Sequence, residues 1–558
     1  MVDYPQGQRS ALEMTAEKGR AKIGAEAKDR LARCRLMKTQ FELDMRESYW
    51  FAAPHRQRSV LSTIKPMRVK PKDAQELNTS FAFELCGDFP TVIINTFLPQ
   101  VEPWFVRRPS MIVPDGSREA VRQDAAKGDK KIFEAILGSN FYEECGKAFE
   151  PDLAIGTVAM WIEPRKGYEP IRCQGIPIRE LEINTGPDGT VSERFVVRYT
   201  NFGYVKMLLP GISLPAKVEK AIEKRPLADC IVIWGFWRLY EDDGEETWQS
   251  VVMVDGEAVG PCPKIKGVGC CPLVVARFGA SPEWPWGVGP MIKALPDLRS
   301  LDELAMKKIK AIDMLLMPPT GYPDDSFTHI EAGLEAGMAY PIRPGSEGAI
   351  KNIYDPPPQD AAIFLTQDLE QRLRRLFFLD WPQQRGDTPP TATQWLDEMT
   401  KAQQRIGTPG YVFWTEFCGG TVSRFQYILE KQGAIKPPAL EGKSVSLVPY
   451  NPAQKAAEQQ EVAQASRAIE IGAQAFPEEW KAAVDGSATI KKLVQKLGAD
   501  GIIAMRPPEH VAAAIKMLSG LSGGQPGQAA PQPPGAVSAP PADLAGGVGA
   551  PLKLRANV

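Results

Sequence analysis

Histidine is scarce in this chain. Three in 558 residues, His55, His329 and His510, are too few and too dispersed for most acid–base schemes. There is no G-x-S-x-G, no H-E-x-x-H and no dinucleotide fingerprint. Gly442-Lys443-Ser444 invites a phosphate-loop reading, but Pro437 stands where that loop needs its first glycine, so an ATPase is excluded. No apolar run approaches the roughly eighteen residues of a membrane helix. The longest, around IVIWGFW and CCPLVVARFGA, are of strand length, so no membrane partner is expected. The N-terminus, MVDYPQGQRSALEMTAEKGRAK, lacks an apolar signal core, which places the expected chain in the cytosol where it is made. Nine cysteines, an odd and scattered number, do not form a disulfide framework and suit a reducing compartment. The one cluster, Cys262, Cys270 and Cys271, has no zinc spacing and no histidine nearby. No metal, no cofactor and no catalytic residue is expected. A net charge of −2 argues against a surface that coats nucleic acid throughout, though it leaves room for a local basic ring.

What the chain does have is helix at both ends and strand in between. Residues 1–28 are polar and rich in Ala, Lys and Glu, and read either as a helical arm or as partly disordered. From Ala27 to Phe51 a helical pattern puts Leu31, Cys34, Met37, Phe41, Met45 and Trp50 near one face, and Pro54 ends it. Helical stretches follow at Thr79–Leu98 and Arg118–Phe149. Near Gly156 the period changes to short β-branched and aromatic runs, with turns at Pro187-Asp188-Gly189 and Asp255-Gly256. Residues 156–280 read as a mostly antiparallel β-unit with a helix near Val218–Lys224. The acidic run Glu241–Glu246 reads as a solvated hairpin tip or as a carboxylate pair, Asp242 and Asp243, for metal chemistry.

Trp286 to Gly433 organises the rest. A first helix, 291–317, carries a stripe of Ala294, Leu298, Leu301, Ala305, Ile309, Ile312 and Leu316 and stops at Pro318-Pro319. Glu303 and Lys307 are spaced for an i,i+4 pair. A second helix after residue 361 has its stripe at Leu365, Leu369, Leu373 and Leu376, with Asp368, Arg372 and Arg375 on another face. On this pattern a helical hairpin in an ordinary core and a channel wall both stand. A third helix opens with a capping box at Thr391 and Gln394 and is expected to kink at Gly407-Thr408-Pro409-Gly410. Residues 452–519 read as further helices, and the Pro/Gly/Ala-rich 520–558 as a disordered tail.

Five stretches in order carry a resemblance: VEPWFVRRP (101–109), GSNFY with DLAIGTVAMWIEP (138–164), WGVGPMIKALPDLRSLDEL (286–304), LLMPP (315–319), and FFLDW with TATQWLDEMTKAQQRIGTPG (377–410). Together they resemble the portal, or head-to-tail connecting, proteins of short-tailed bacteriophages. Gln394 stands for the family's usual Glu, Thr408 splits its Gly-Pro, and Trp286 replaces a Tyr. The resemblance implies an α+β portal fold, mainly helical, with an antiparallel β-unit in the wing, a two-helix stem, a small clip insert and a helical crown. Its parts would be an N-terminal arm (1–28), wing (29–290), first stem helix (291–317), clip (318–360), second stem helix (361–380) and tunnel loop (381–390). A kinked wing helix with a return segment (391–451), crown (452–519) and tail (520–558) would complete it.

By that resemblance the chain performs no bond chemistry. About twelve copies would form a ring at one capsid vertex, a conduit for double-stranded DNA in packaging and ejection. Its partners would be the large terminase, tail adaptors, and capsid and scaffold proteins, with host cytoplasm as the place of assembly and the virion as destination. Candidate DNA-channel residues are Arg385, Gln383 and Gln384 in the tunnel loop, and Lys307, Lys310, Arg372 and Arg375 on the stem. Sparse cations touch phosphates without fixing register, as sliding DNA requires. For each, an ion pair between subunits is the competing role. Asp324, Asp325, Glu331 and Glu335 are candidates for docking the motor and adaptors. A tail-tube or adaptor protein would lack the helix–clip–helix plan. A nuclease would need the carboxylates of the 241–246 run.

Overall fold

A computed structural model describes residues 6–56, 59–65, 77–101, 103–110, 113–114, 118–165, 170–212, 214–241, 245–317, 320–323, 339–342, 351–352, 360–379, 406–435, 445–449, 462, 464–471 and 489. The chain divides into two units, Met1–Ala456 and Ala457–Val558. In the second, the described residues are helical.

The first unit begins with one helix, α1 (Gln6–Ala52), which runs straight through the arm–wing boundary drawn at 28/29. Its core face is Ala27, Leu31, Cys34, Lys38, Phe41, Met45 and Tyr49, spaced by threes and fours. Met37 and Trp50, expected in that stripe, are half-buried, and Lys38 and Tyr49 hold those turns instead. Next come α2 (Phe81–Phe97), β1 (Phe105–Pro109), α3 (Arg118–Leu137) and α4 (Phe141–Phe149). The expected single helix over 118–149 is therefore two, broken at Gly138-Ser139-Asn140, where the Ser139 hydroxyl bonds the Ile136 carbonyl at 2.8 Å. A short α5 (Asp152–Ile155) leads into the β-unit.

That unit is antiparallel, in two sheets. The smaller has the order β10–β2–β3, from β2 (Thr157–Pro164), β3 (Ile171–Ile176) and β10 (Leu273–Arg277). The larger runs through β4 (Leu181–Thr185), β5 (Val191–Asn201), β6 (Asp229–Leu239), β7 (Thr247–Val254) and β8 (Glu257–Val259), with β9 (Lys264–Lys266) also on β7. Asp255 and Gly256 both take positive φ, 50° and 80°, which makes the β7–β8 hairpin the tight turn that Asp-Gly favours. Two helices lie between β5 and β6, the expected α7 (Ala216–Lys224) and an additional α6 (Phe202–Leu208).

A helical hairpin follows. Its first arm is α8 (Pro290–Leu316), with Pro290 in the first turn where its missing N–H costs nothing. Its second is α9 (Asp360–Leu376). Between them β11 (Thr320–Pro323) pairs parallel with β12 (Ala339–Ile342) and antiparallel with β13 (Lys351–Asn352). After α9 the description resumes at Ile406. Helix α10 (Gly407–Phe413) passes through a π-helical segment, Trp414–Gly419, into α11 (Gly420–Lys431). Pro409 sits in the first turn of α10, and residues 391–405, with the expected capping box, lie outside the described residues. Finally β14 (Val445–Pro449) returns to pair antiparallel with β1.

One large core joins α2, α4, the small sheet, the base of the hairpin and α10–α11. Its centre is aromatic: Phe413 stacks on Phe417 at 5.3 Å, Phe149 meets Phe417 edge-on at 5.1 Å, and Phe89 meets Phe278 at 5.3 Å. A second cluster clamps Ala27, Leu31 and Cys34 of α1 onto Phe195, Trp237 and Val251 of the large sheet.

Candidate functional site

The hairpin starts where two backbones cross in contact. At Gly156, with φ 130°, an added Cβ would lie 2.5 Å from the Gly287 carbonyl oxygen and 2.5 Å from the Gly289 nitrogen. At Gly289 it would lie 2.2 Å from the Ala154 oxygen. The approach is stitched by hydrogen bonds: Gly289 N–H to the Ile155 carbonyl (2.8 Å), Phe278 N–H to that of Gly156 (2.8 Å), and Gly287 N–H to the Thr157 hydroxyl (3.0 Å). Only glycine admits backbones this close. Two of the sequence stretches singled out above, DLAIGT and WGVGP, thus meet to launch α8.

Above this crossing the hairpin changes character along its length. In α8, Met291, Ala294, Leu295, Leu298 and Leu301 are buried, as are Leu369 and Leu373 of α9. Farther out the same stripe is uncovered: Ile309 is 50% exposed, Ile312 47% and Leu316 72%, with Phe364 of α9 at 74%. Leu365, expected in the buried stripe, is exposed because the core ends before it. Of 21 exposed large apolar side chains among the described residues, eight lie in 309–317 and 363–365, so the exposure is concentrated rather than scattered. The arms are tied by Lys308, which donates to the Thr366 hydroxyl, and α9 is anchored on α2 by Arg374 over the Phe81 ring at 5.4 Å. Phe378 closes α9 in the left-handed region at φ 58°, a position that usually takes glycine. Its ring stacks on Phe89 at 6.4 Å.

The expected charged residues on these helices are exposed. Lys307 pairs with Glu303 at 2.7 Å, and the lysine beside it holds the Glu303 carboxyl below its usual range. Arg372 pairs with Asp368 at 2.7 Å. Both bonds are i,i+4 within one helix. Gln383, Gln384 and Arg385, and also Asp324, Asp325, Glu331 and Glu335, lie outside the described residues.

Sequence reasoning missed the buried charges that hold the hairpin's foundation. Lys38, fully buried, donates to the carbonyls of Ile178 (2.7 Å), Leu181 (2.7 Å) and Arg179 (3.3 Å) and to Glu182 Oε1 (3.4 Å). Burial pushes its ammonium below the ordinary lysine value, against the pull of Glu182. Its place in the apolar 3–4 pattern of α1 was the one available signal. Buried Asp152 accepts from the Tyr49 hydroxyl and from Ile178 N–H at 2.9 Å. Desolvation pushes its carboxyl up to about 6, although both hydrogen bonds, Arg56 and Lys38 pull it down. Arg277 grips Glu416 of the π-helical turn, side chain to side chain at 2.5–3.2 Å and through its own N–H at 2.8 Å. Arg107 pairs with buried Asp129 and reaches Gln426 at 3.0 Å.

Of the acidic run, Glu241 is bound by Lys264 (2.7 Å) and Lys266 (3.5 Å), and Glu246 accepts from the Trp248 indole at 2.7 Å. Asp242 and Asp243 lie outside the described residues. Among the described residues no three His, Cys, Asp or Glu side chains group to hold a metal ion, and no helix is long and apolar enough to cross a membrane.

The sequence model of a family described as "Bacteriophage head to tail connecting protein" matches residues 25–504. No curated protein matches the chain. Among solved structures, one titled "Neck of empty GTA particle computed with C6 symmetry" matches over 75% of this chain and 90% of that one, at 10% identity and a TM-score of 0.32.

Proposed function

The chain belongs to the family of bacteriophage head to tail connecting proteins, and from that premise we propose that it is a portal subunit. About twelve copies close into a ring at one capsid vertex, a cyclic assembly in which each interface joins unlike faces of neighbouring copies. The observation that carries this reading is the half-covered hairpin. Its base is built into a subunit core, while its outer half presents apolar residues on both helices to solvent. Burying one such side chain contributes roughly 1.5–3 kcal/mol at full burial, so eight half-exposed ones supply a substantial interface. A neighbouring copy's hairpin is the occupant that a ring provides.

In this reading residues 29–290 form the wing, the hairpin the stem, and 318–360 the clip. Lys307, Lys310, Arg372 and Arg375 line the channel, with Gln383, Gln384 and Arg385 at its narrowest loop. Lys307 and Arg372 already have carboxylate partners in their own helices, which blunts their pull on phosphate and suits DNA that must slide. The acidic clip residues Asp324, Asp325, Glu331 and Glu335 dock the terminase and later the tail adaptors. The protein acts by position, without bond chemistry, in the host cytoplasm during assembly and then in the virion.

The test is mass and symmetry of the purified chain, by light scattering and electron microscopy. Subunits of 61.4 kDa in a twelvefold ring give roughly 740 kDa with a central hole. A compact dimer or tetramer without a hole refutes the portal reading.

A further inference from the structure

The hairpin's second arm ends on a residue that its own backbone disfavours. Phe378 takes φ 58°, in the left-handed region that strains any residue with a Cβ and leaves glycine unstrained. Two hydrogen bonds turn the chain there: Phe378 N–H to the Arg375 carbonyl at 3.2 Å, and Leu379 N–H to that of Arg374 at 2.8 Å. This reversed pair is a common way to end a helix, and its usual residue is glycine. Glycine would relieve the backbone and leave the exit free to swivel. Phenylalanine carries the strain and offers a ring that neighbours can grip.

The grip is aromatic and comes from two places in the fold. Phe378 stacks on Phe89 of α2 at 6.4 Å, with 27° between the planes, and meets Phe278 edge-on at 6.0 Å. Phe377 and Leu379 on either side are buried, and Phe377 meets the same Phe89 at 6.0 Å. Phe278 belongs to the crossing at the other end of the hairpin. Its N–H bonds the Gly156 carbonyl at 2.8 Å. Its own carbonyl oxygen lies 2.8 Å from where a Cβ on Gly287 would stand. The chain therefore enters α8 and leaves α9 against one and the same residue. A main chain has only two soft torsions per residue, so gripping the ring of a residue whose helix-ending turn is already closed leaves the exit little freedom.

We propose that Phe378 is a positioning residue: its strained backbone and gripped ring set the direction in which the chain departs after Leu379, referred to the same crossing that launches α8. In the portal reading that departure leads to the loop 381–390 that meets DNA, and the functional half of the inference rests on that reading.

Amide hydrogen exchange over residues 379–390 of the full-length chain tests it, together with DNA retention by particles carrying the same variants. Phe378→Ala removes the ring and keeps the backbone strain, whereas Phe378→Gly removes both. The glycine variant is therefore expected to melt higher than the alanine one. Both are expected to raise exchange over 379–390 about tenfold, the size of two aromatic pairs lost together, and both to lose DNA retention. Phe378→Tyr keeps the ring and is expected to match wild type in exchange and retention. Val251→Ala, in the separate cluster beneath α1, lowers the melting temperature by another route and is expected to leave exchange over 379–390 and DNA retention at wild-type levels. Unchanged exchange in both ring-less variants overturns the proposal, as does DNA retention that simply follows melting temperature across the four variants. A wild-type chain that forms no ring refutes the portal reading, and the exchange comparison then still decides whether Phe378 sets the exit.

Discussion

Asp152→Asn isolates one buried carboxyl whose energetics can be worked through. Asp152 is fully desolvated, and its pKa rises from the ordinary 3.8 to about 6. A raised folded-state value means that the fold holds the proton more tightly than the unfolded chain does. The stabilisation is present in full below the unfolded value and is lost as pH rises through the folded one. Two units at 1.36 kcal/mol each give about 3 kcal/mol, spread between pH 4 and pH 6.5. Asparagine keeps the shape and does not titrate. Stability of wild type minus variant should therefore fall by about 3 kcal/mol as pH rises from 4 to 7. The other acids cancel in that difference. For the unit Met1–Ala456, an unfolding entropy of about 2.1 cal/mol/K per residue converts this to about 3 °C. The assay is melting temperature of both proteins at pH 4, 5, 6 and 7. A difference that stays flat, or grows as pH rises, refutes the assignment of desolvation as the dominant cause.

Four other outcomes are expected. Ile312→Ser with Phe364→Ser should abolish the ring in light scattering while shifting the subunit's melting temperature by less than about 1 °C, because both side chains are already exposed; an intact ring would rule out the hairpin as interface. Neutralising Arg372, Arg375 and Arg385 together should impair DNA packaging or retention, and unchanged phage yield would reject them as channel residues. Arg277→Met should destabilise by about 3–5 kcal/mol by stranding the Glu416 carboxylate, whereas Arg277→Met with Glu416→Met should recover most of that; additive losses in denaturant melts would contradict a coupled pair. Gly156→Ala should cost more than about 3 kcal/mol and depress soluble yield, since its Cβ would overlap three backbone atoms; an unaltered melt would show that the crossing relaxes freely.

The hairpin was legible in the sequence almost to the residue: 291–317 was expected and Pro290–Leu316 is observed, while α9 ends at Leu376, short of 380. A 3–4 apolar stripe closed off by proline is a local signal, and local signals survive into the fold. The same stripe could not say that its outer half is bare. Periodicity reports which side of a helix is apolar, not how far the neighbouring core extends, so Leu316 and Leu365 read like Leu298 and Leu369. The first helix shows the complementary blind spot. Its polar opening residues lack an apolar stripe, so the sequence leaves residues 1–28 open between a helical arm and disorder, and the structure carries one 47-residue helix through position 28. Buried charge was the least legible. Lys38, Asp152, Arg277 and Arg107 find the partners named above between 22 and 319 residues away, and apart from the place of Lys38 in the α1 pattern nothing local marks them off from surface charges. The glycines of DLAIGT and WGVGP were conspicuous, but that each is glycine because of the other is a fact of three dimensions.

That crossing also sets a tolerance. Helix α8 has 27 residues and reaches roughly 40 Å from its root. A tilt of one degree at the root displaces the far end by about 0.7 Å over that length. In a closed circle of identical parts the error does not average out, because every copy carries it with the same sign. A joint cushioned by side chains could drift by several degrees as rotamers change. One made of main chain lying on main chain has no rotamers to change, so the aim of the lever is fixed by bond geometry before any neighbour arrives.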